Sequence, residues 1–436
     1  MRLLILLALS GSACAFPQDA AAPGQDWPQW RGARRDGAWR ETGILERFEN
    51  ERVPLRWSVP IGGGYSGPTV SDGRVYVMDR PKDRPVERVL CVDWKTGERR
   101  WDFSYECSYE GFTYTAGPRA SVTVHDGRAY ALGAAGHLHC AEAASGKILW
   151  KRDLRQDYRI RMPLWGIAAH PIIEGEHLIT QIGGQGEACV IALDRKTGEE
   201  RWKAFPDEAS YSPPIAIDHA GRRVVVMALG FRLVAFAPTD GTLLWSHPQP
   251  KSSWPISIPA PVAQGDLLFF SAAHSGSVLF RLAPDRPAVN VVWESSGRGR
   301  NPNTLTPVIP DPLVMNGLVF GVQTDGDLRC LELMTGKRLW ETTDVMPKAW
   351  HGTMHLVRAG ATGDRAWIFN ERGELILARL TAEGYKELSR AKLIDPTVEQ
   401  GPRGRAVTWA HPAFAYRHVF ARSDQKLVCA DLSAPR

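Results

Sequence analysis

Short apolar runs recur along almost the whole chain, each cut by a turn containing Gly, Asn or Asp. Such a pattern, with its brief runs and frequent breaks, predicts many short strands and few helices. The runs follow a repeating order. An extended segment comes first, often opened by proline, as in Pro68-Thr69-Val70, Pro171-Ile172-Ile173 and Pro261-Val262. A tight turn follows, such as Asp72-Gly73, Asp126-Gly127 or Asn316-Gly317. These dipeptides favour hairpins because both residues tolerate the positive φ that the turn needs. A second apolar strand leads to another glycine turn (Gly136, Gly276, Gly326, Gly373) and then to a third strand. A fourth strand closes the unit.

The join between the third and fourth strands is the clearest repeat in the sequence. A small residue, an apolar residue and an acidic one precede Thr-Gly or Ser-Gly, and a Trp follows. Copies run from Cys91 to Trp101, Cys140 to Trp150, Ala192 to Trp202 and Cys330 to Trp340, and from Ala235 to Trp245 with Ala237 in the acidic position and Thr239-Asp240-Gly241 at the turn. Two copies are worn: Arg281 to Trp293 lacks Thr-Gly, and Ala378 to Leu388 has lost the Trp. Counting from Trp57, the closing positions are separated by 44, 49, 52, 43, 48, 47 and 48 residues. Four antiparallel strands at this period describe a propeller blade. The chain ends complement each other. Lys426 to Asp431 opens a unit that never reaches its Trp, and Trp57 closes one that never began. The prediction is therefore an all-β, eight-bladed propeller over residues 55–436, its ring closed by pairing of N- and C-terminal strands. Such closure leaves no long edge exposed.

The Asp-x-x-Thr-Gly-x-x-x-Trp phrase resembles the tryptophan-docking repeat of the quinoprotein (pyrroloquinoline quinone, PQQ) superfamily, from about Trp57 to Asp431. The opener Trp27-Pro28-Gln29-Trp30-Arg31-Gly32 is similar to the lead-in of secreted bacterial proteins with PQQ-like repeats. The resemblance implies the fold, and two activities on it. Quinoprotein alcohol dehydrogenases hold PQQ and calcium, with a disulfide between adjacent cysteines against the quinone and a catalytic Asp. This sequence has no Cys-Cys pair, and none of its positions matches the calcium ligands or that Asp. The BamB-like branch binds partners and catalyses nothing, and the length and repeat count suit it better. A fold alone does not fix activity.

Residues 1–15 predict a secretory signal: Met1-Arg2, an apolar run from Leu3 to Leu9, then small residues ending at Ala15. Export to the periplasm or beyond is expected. Cys14 offers the alternative of a lipid anchor and an outer-membrane lipoprotein, although Gly11 stands where such signals carry a larger apolar residue. No run is long enough to span a bilayer. Residues 16–54, with Trp27, Trp30 and Trp39, form a strap outside the repeats, either packed along the ring or covering one face. A net charge of +5 without a polybasic run excludes nucleic acid as a partner. Cys91, Cys140, Cys330 and Cys429 share the slot that Ala192, Ala235 and Ala378 hold elsewhere, so they are expected to be small buried residues, not disulfides. A monomer is expected.

Loops entering each blade share one face of a propeller, and here they carry Arg and Trp. Arg159, Arg161 and Trp165 precede the third blade, Trp254 the fifth, Arg298 and Arg300 the sixth, Trp350 the seventh, and Arg403, Arg405 and Trp409 the eighth. At the mouths of the innermost strands stand His170, His355 and His411, with Asp311 in the matching slot of the sixth blade. Arg forks suit carboxylate or phosphate, and Trp faces suit sugars or planar rings. Asp311, His355 and His411 are a candidate metal trio; the competing reading has the imidazoles simply lining the channel. No hydrolase elbow, P-loop or zinc-protease motif is present. Two functions follow. One is a binding scaffold for an envelope protein or glycan, needing no cofactor; the other is a diverged PQQ–calcium or metal-dependent oxidoreductase.

Overall fold

In a computed structural model, residues 25–249, 256–295 and 304–435 are described. They form eight four-stranded antiparallel sheets arranged as a propeller, one of which gains a fifth strand. The innermost strands are Thr69–Ser71, Thr123–His125, Ile172–Glu174, Ile215–His219, Val262–Gln264, Leu313–Met315, Met354–Ala359 and Ala413–Ala415. In the eighth blade Leu55–Pro60 is the outermost strand and pairs antiparallel with Lys426–Asp431, setting Trp57 opposite Cys429. The N- and C-terminal strands thus close the ring as the sequence predicts. Among the described residues the only helical pieces are Leu154–Asp157 and the 3-10 turn Pro402–Gly404.

The repeated phrase is a joint between blades. Within a blade the small residue lies opposite the Trp, as in Cys91–Trp101, Cys140–Trp150, Ala192–Trp202 and Cys330–Trp340, and the strand bulges at the next position. The indole then reaches the following blade. Trp57, Trp101, Trp150, Trp202, Trp293 and Trp340 donate Nε1–H to a carbonyl of that blade's third-to-fourth-strand turn, at 2.8–3.2 Å. The ring also packs on the turn glycine: a Cβ on Gly241 would stand 2.7 Å from the Trp202 ring. That glycine also has φ +75°, a backbone state that other residues enter only at a cost. The acidic residue caps the turn, Asp93 Oδ1 accepting from the amides of Lys95 and Thr96, and Asp194 Oδ1 from those of Lys196 and Thr197. Where the fifth blade lacks Thr-Gly, the Trp245 Nε1–H docked there is buried without a partner. In that blade's slot Leu279, not a small residue, faces Trp293.

The core lies mainly between blades; Val224, Val226 and Leu233 of the fourth pack on Leu268, Phe270 and Phe280 of the fifth. All six described cysteines are free and buried.

Residues 44–53 of the strap pack along the ring, Leu45 donating its amide to the Leu432 carbonyl and Val53 to that of Lys392, but the residues before them take a different path. Residues 26–39 enter the central channel from the face opposite the interblade loops. Asp26 accepts from the Ser71 hydroxyl at 3.0 Å, at the far end of an innermost strand. Trp27 bridges Val70, and the Pro28 carbonyl accepts from the Val124 amide. Trp30 reaches deepest and stacks on His170, ring centres 5.4 Å apart. Arg35, fully buried, donates to the carbonyls of His170, Pro171 and Pro214, and burial pulls its guanidinium down to about 9. The segment leaves as Ala38–Trp39, running parallel to Met354–Ala359 as the fifth strand of the seventh blade. Its tryptophans supply buried apolar surface along the axis, where short strands leave a gap.

Candidate functional site

Six blades open their innermost strand with proline: Pro68, Pro171, Pro214, Pro261, Pro312 and Pro412. Side chains alternate across extended backbone, so residues one and three positions before that proline face the same way. In this ring they face the channel. The third residue before each proline, Tyr65, Ala168, Tyr211, Ile258, Ile309 and Trp409, lines one cavity, and so do His170, Pro213, Asp311 and His411 from the first position. The cavity encloses about 910 Å³ of non-protein space, its mouth included. Trp30 closes its inner end.

The structure brings the predicted imidazoles and carboxylate together. His170 and His411 have ring centres 5.6 Å apart, and His355 and His411 are 6.1 Å apart. His170 is buried and His355 and His411 are partly buried, and desolvation holds all three neutral: His355 is lowered to about 4, His411 to about 3, and His170 well below the usual range. His170 Nδ1 accepts from the Ser121 amide at 2.8 Å, so its proton sits on Nε2. His355 Nε2 faces the Trp409 carbonyl at 2.9 Å, so it donates and Nδ1 keeps a lone pair. His411 Nε2 meets the Ser121 hydroxyl at 2.9 Å. Ser121 is only 1% exposed and also donates to the Gly67 carbonyl, so it is sealed away from the cavity as a nucleophile.

Asp311 is committed as well. Its Oδ1 accepts from the Ala260 amide at 2.8 Å and its Oδ2 lies 3.5 Å from Arg31. Burial raises its carboxyl against the opposing pull of Arg31. Asp311, His355 and His411 are therefore neighbours but not a ligand set. Among the described residues no group of three His, Cys, Asp or Glu is disposed to hold a metal.

The other predicted residues separate. Trp165 and Trp409 line the cavity. Arg159 and Arg161 are exposed and outside it. Trp350 is 50% exposed and stacks on His351. Arg405 is a strut: it donates to the Trp350 carbonyl and to Glu371, which also accepts from Trp409 Nε1. Arg403 sits in the turn Pro402–Gly404. Arg298, Arg300, Trp254 and Cys14 lie outside the described residues. Sequence reasoning missed Tyr65, Tyr114, Arg119 and Tyr211. The position three before the strand-opening proline, shared by Tyr65-Ser-Gly-Pro68 and Tyr211-Ser-Pro-Pro214, was the signal for two of them. Tyr114 and Arg119 come from the loop into the second blade, whose inner strand carries no such proline.

These residues do not fit a quinone paired with calcium. No cysteine lines the cavity, its one carboxylate is occupied by an amide and an arginine, and Trp30 fills the axis beneath.

The family model described as "Outer membrane protein assembly factor BamB" matches residues 85–342. The "1-butanol dehydrogenase (quinone)" of Thauera butanivorans is 33% identical over 163 residues, 34% of this chain and 25% of that protein. The outer membrane protein assembly factor BamB of Bordetella pertussis is 29% identical over 157 residues, 35% of this chain and 39% of that protein. The chain thus spans about a quarter to two fifths of the length of these relatives. Among solved structures, BamB from Moraxella catarrhalis superposes with a TM-score of 0.58 at 15% identity, covering 87% of this chain and 99% of that one. A europium-containing methanol dehydrogenase superposes with a TM-score of 0.68 at 12% identity, covering 92% and 90%. At these identities the two structures speak for the fold alone.

Proposed function

The chain belongs to the family of the outer membrane protein assembly factor BamB, and we propose that it is an exported binding scaffold that holds a protein or glycan of the bacterial envelope at its interblade-loop face. One observation carries this reading: the funnel is a built cavity whose polar groups are either neutral or already satisfied. Catalysis needs a group poised to take up or give a proton, or to attack, near working pH. Here the three imidazoles stay uncharged, Ser121 is sealed, and Asp311 is paired with Arg31. Concave, largely apolar sites with a few oriented polar groups are how proteins bind. Among the described residues no helix is long and apolar enough to cross a membrane.

The test has two arms on the full chain. In the first, the protein captures partners from envelope extracts beside a Trp165→Ala/Trp409→Ala variant of matched melting temperature. Capture by the wild type and its loss in the variant are expected. In the second, PQQ with calcium is titrated while tryptophan fluorescence is followed, and no saturation is expected. Saturable PQQ binding with alcohol-dependent dye reduction would replace this reading by the quinoprotein oxidoreductase one.

A further inference from the structure

The funnel's shape and polarity narrow the kind of ligand it takes. Resting on the binding reading above, we propose that the cavity receives the end of a neutral saccharide, with the terminal sugar ring seated against the aromatic wall and its hydroxyls on His170 and His355.

Three independent features converge on this. The first is that the funnel is blind. The strap fills the channel from the opposite face, and Trp30 forms the floor. A polymer cannot thread through, so it enters by its end. The second is the wall. Trp409, Tyr114, Trp165 and Tyr211 come from four interblade loops and form a continuous arc, with successive ring centres 5.8, 5.8 and 5.0 Å apart. Flat π faces carry negative potential and attract the weakly positive C–H face of a pyranose ring. The opposite side, Ile258, Val308 and Ile309, is apolar.

The third feature is the throat. His170 keeps an Nε2–H donor and His355 an Nδ1 acceptor, both on rings that line the cavity. A hydroxyl both gives and accepts a hydrogen bond, so vicinal hydroxyls match this mixed pair. A carboxylate or phosphate, which only accepts, and an ammonium, which only donates, each leave one imidazole unsatisfied. Among the described residues two charged side chains line the cavity, Arg119 and Asp311. Arg119 gives three of its five N–H donors to the carbonyls of Thr113, Tyr114 and Gly117. Asp311 is covered by Ala260 and Arg31. A cation entering the funnel would lose water without gaining a counter-charge.

The experiment is calorimetric titration of the full chain, with tryptophan fluorescence in parallel. The probes are three neutral trisaccharides (maltotriose, cellotriose and triacetylchitotriose), the acidic trigalacturonate, and a neutral capped tripeptide. Saturable binding of at least one neutral trisaccharide is expected, with trigalacturonate at least tenfold weaker. Tyr114→Ala and Trp165→Ala should each weaken binding roughly three- to tenfold, while Trp165→Phe retains most of it. Melting curves show that each variant is folded. Failure of all three neutral sugars on folded protein overturns the proposal, as does preference for the acidic trimer or the peptide, or indifference to the ring substitutions. If the sugars fail while envelope partners are still captured, the saccharide proposal falls and the scaffold reading stands. If both fail, the scaffold reading falls too.

Discussion

The residues at the throat are polar groups placed where water is scarce, and that placement has a consequence for stability. An unfolded imidazole titrates near 6.5, whereas His355 and His411 in the fold do so at about 4 and about 3. Between those values the unfolded chain binds protons that the folded chain refuses, so stability rises with pH across the window. The contribution is complete above pH 6.5 and is lost as pH falls towards 4 and then 3. Melting temperature measured from pH 7.5 to 4 should therefore decline most steeply below 6.5. A His170→Gln/His355→Gln/His411→Gln variant should show a shallower decline, and an equally steep one would refute the assignment. The histidines were legible in the sequence because each stands at the mouth of an extended segment. Their neutrality was not, because it comes from burial under Trp30 and the loops.

The blade joint is the element-scale device. Trp57, Trp101, Trp150, Trp202 and Trp293 each fill the space above a glycine of the next blade and give the indole N–H to a carbonyl there, so one residue carries packing and hydrogen bonding across an interface. Trp202→Ala should cost about 3 kcal/mol, the lower end for a large aromatic because the ring is part-exposed. Gly241→Ala, on the other side of the same joint, should also destabilise by forcing a Cβ into that ring at positive φ. The fifth blade is an internal control. Trp245 has no acceptor there, so Trp245→Phe should cost less than Trp202→Phe by about the worth of one hydrogen bond, ~1 kcal/mol. Urea unfolding of the four variants measures all of this, and equal costs at 202 and 245 would contradict the docking account. The worn copy in the fifth blade thus coincides with the joint that lacks the hydrogen bond, whereas the worn copy in the seventh still accepts from Trp340 at 2.8 Å.

At the scale of the whole molecule, the ring is closed by a non-local pairing between residues 55–60 and 426–431. Deleting residues 426–436 should leave the eighth blade with a raw edge and a ring free to open. We expect a broadened, lower melting transition and an elongated solution profile by X-ray scattering; an unchanged sharp transition would show that the ring does not rely on this closure. This pairing was readable because two incomplete halves of one repeat stood at opposite ends of the chain. Strand number, blade period, ring closure and the docking tryptophans are all local or periodic properties, and periodicity survives in a linear sequence. The predicted carriers of function fared unevenly. Of the arginines expected at the site, Arg159 and Arg161 face solvent and Arg405 is a strut, because a loop residue's role depends on which neighbour its side chain reaches. Tyr114 and Arg119 had no register to announce them. The strap's path was equally hidden: Trp27, Trp30 and Trp39 identify it as apolar, but only the assembled ring creates the axial gap that draws them in. The sequence by itself determined the repeating joint and hence the propeller. The tertiary structure decided that the channel is blind, because its floor is a contact between residues 140 positions apart, Trp30 and His170.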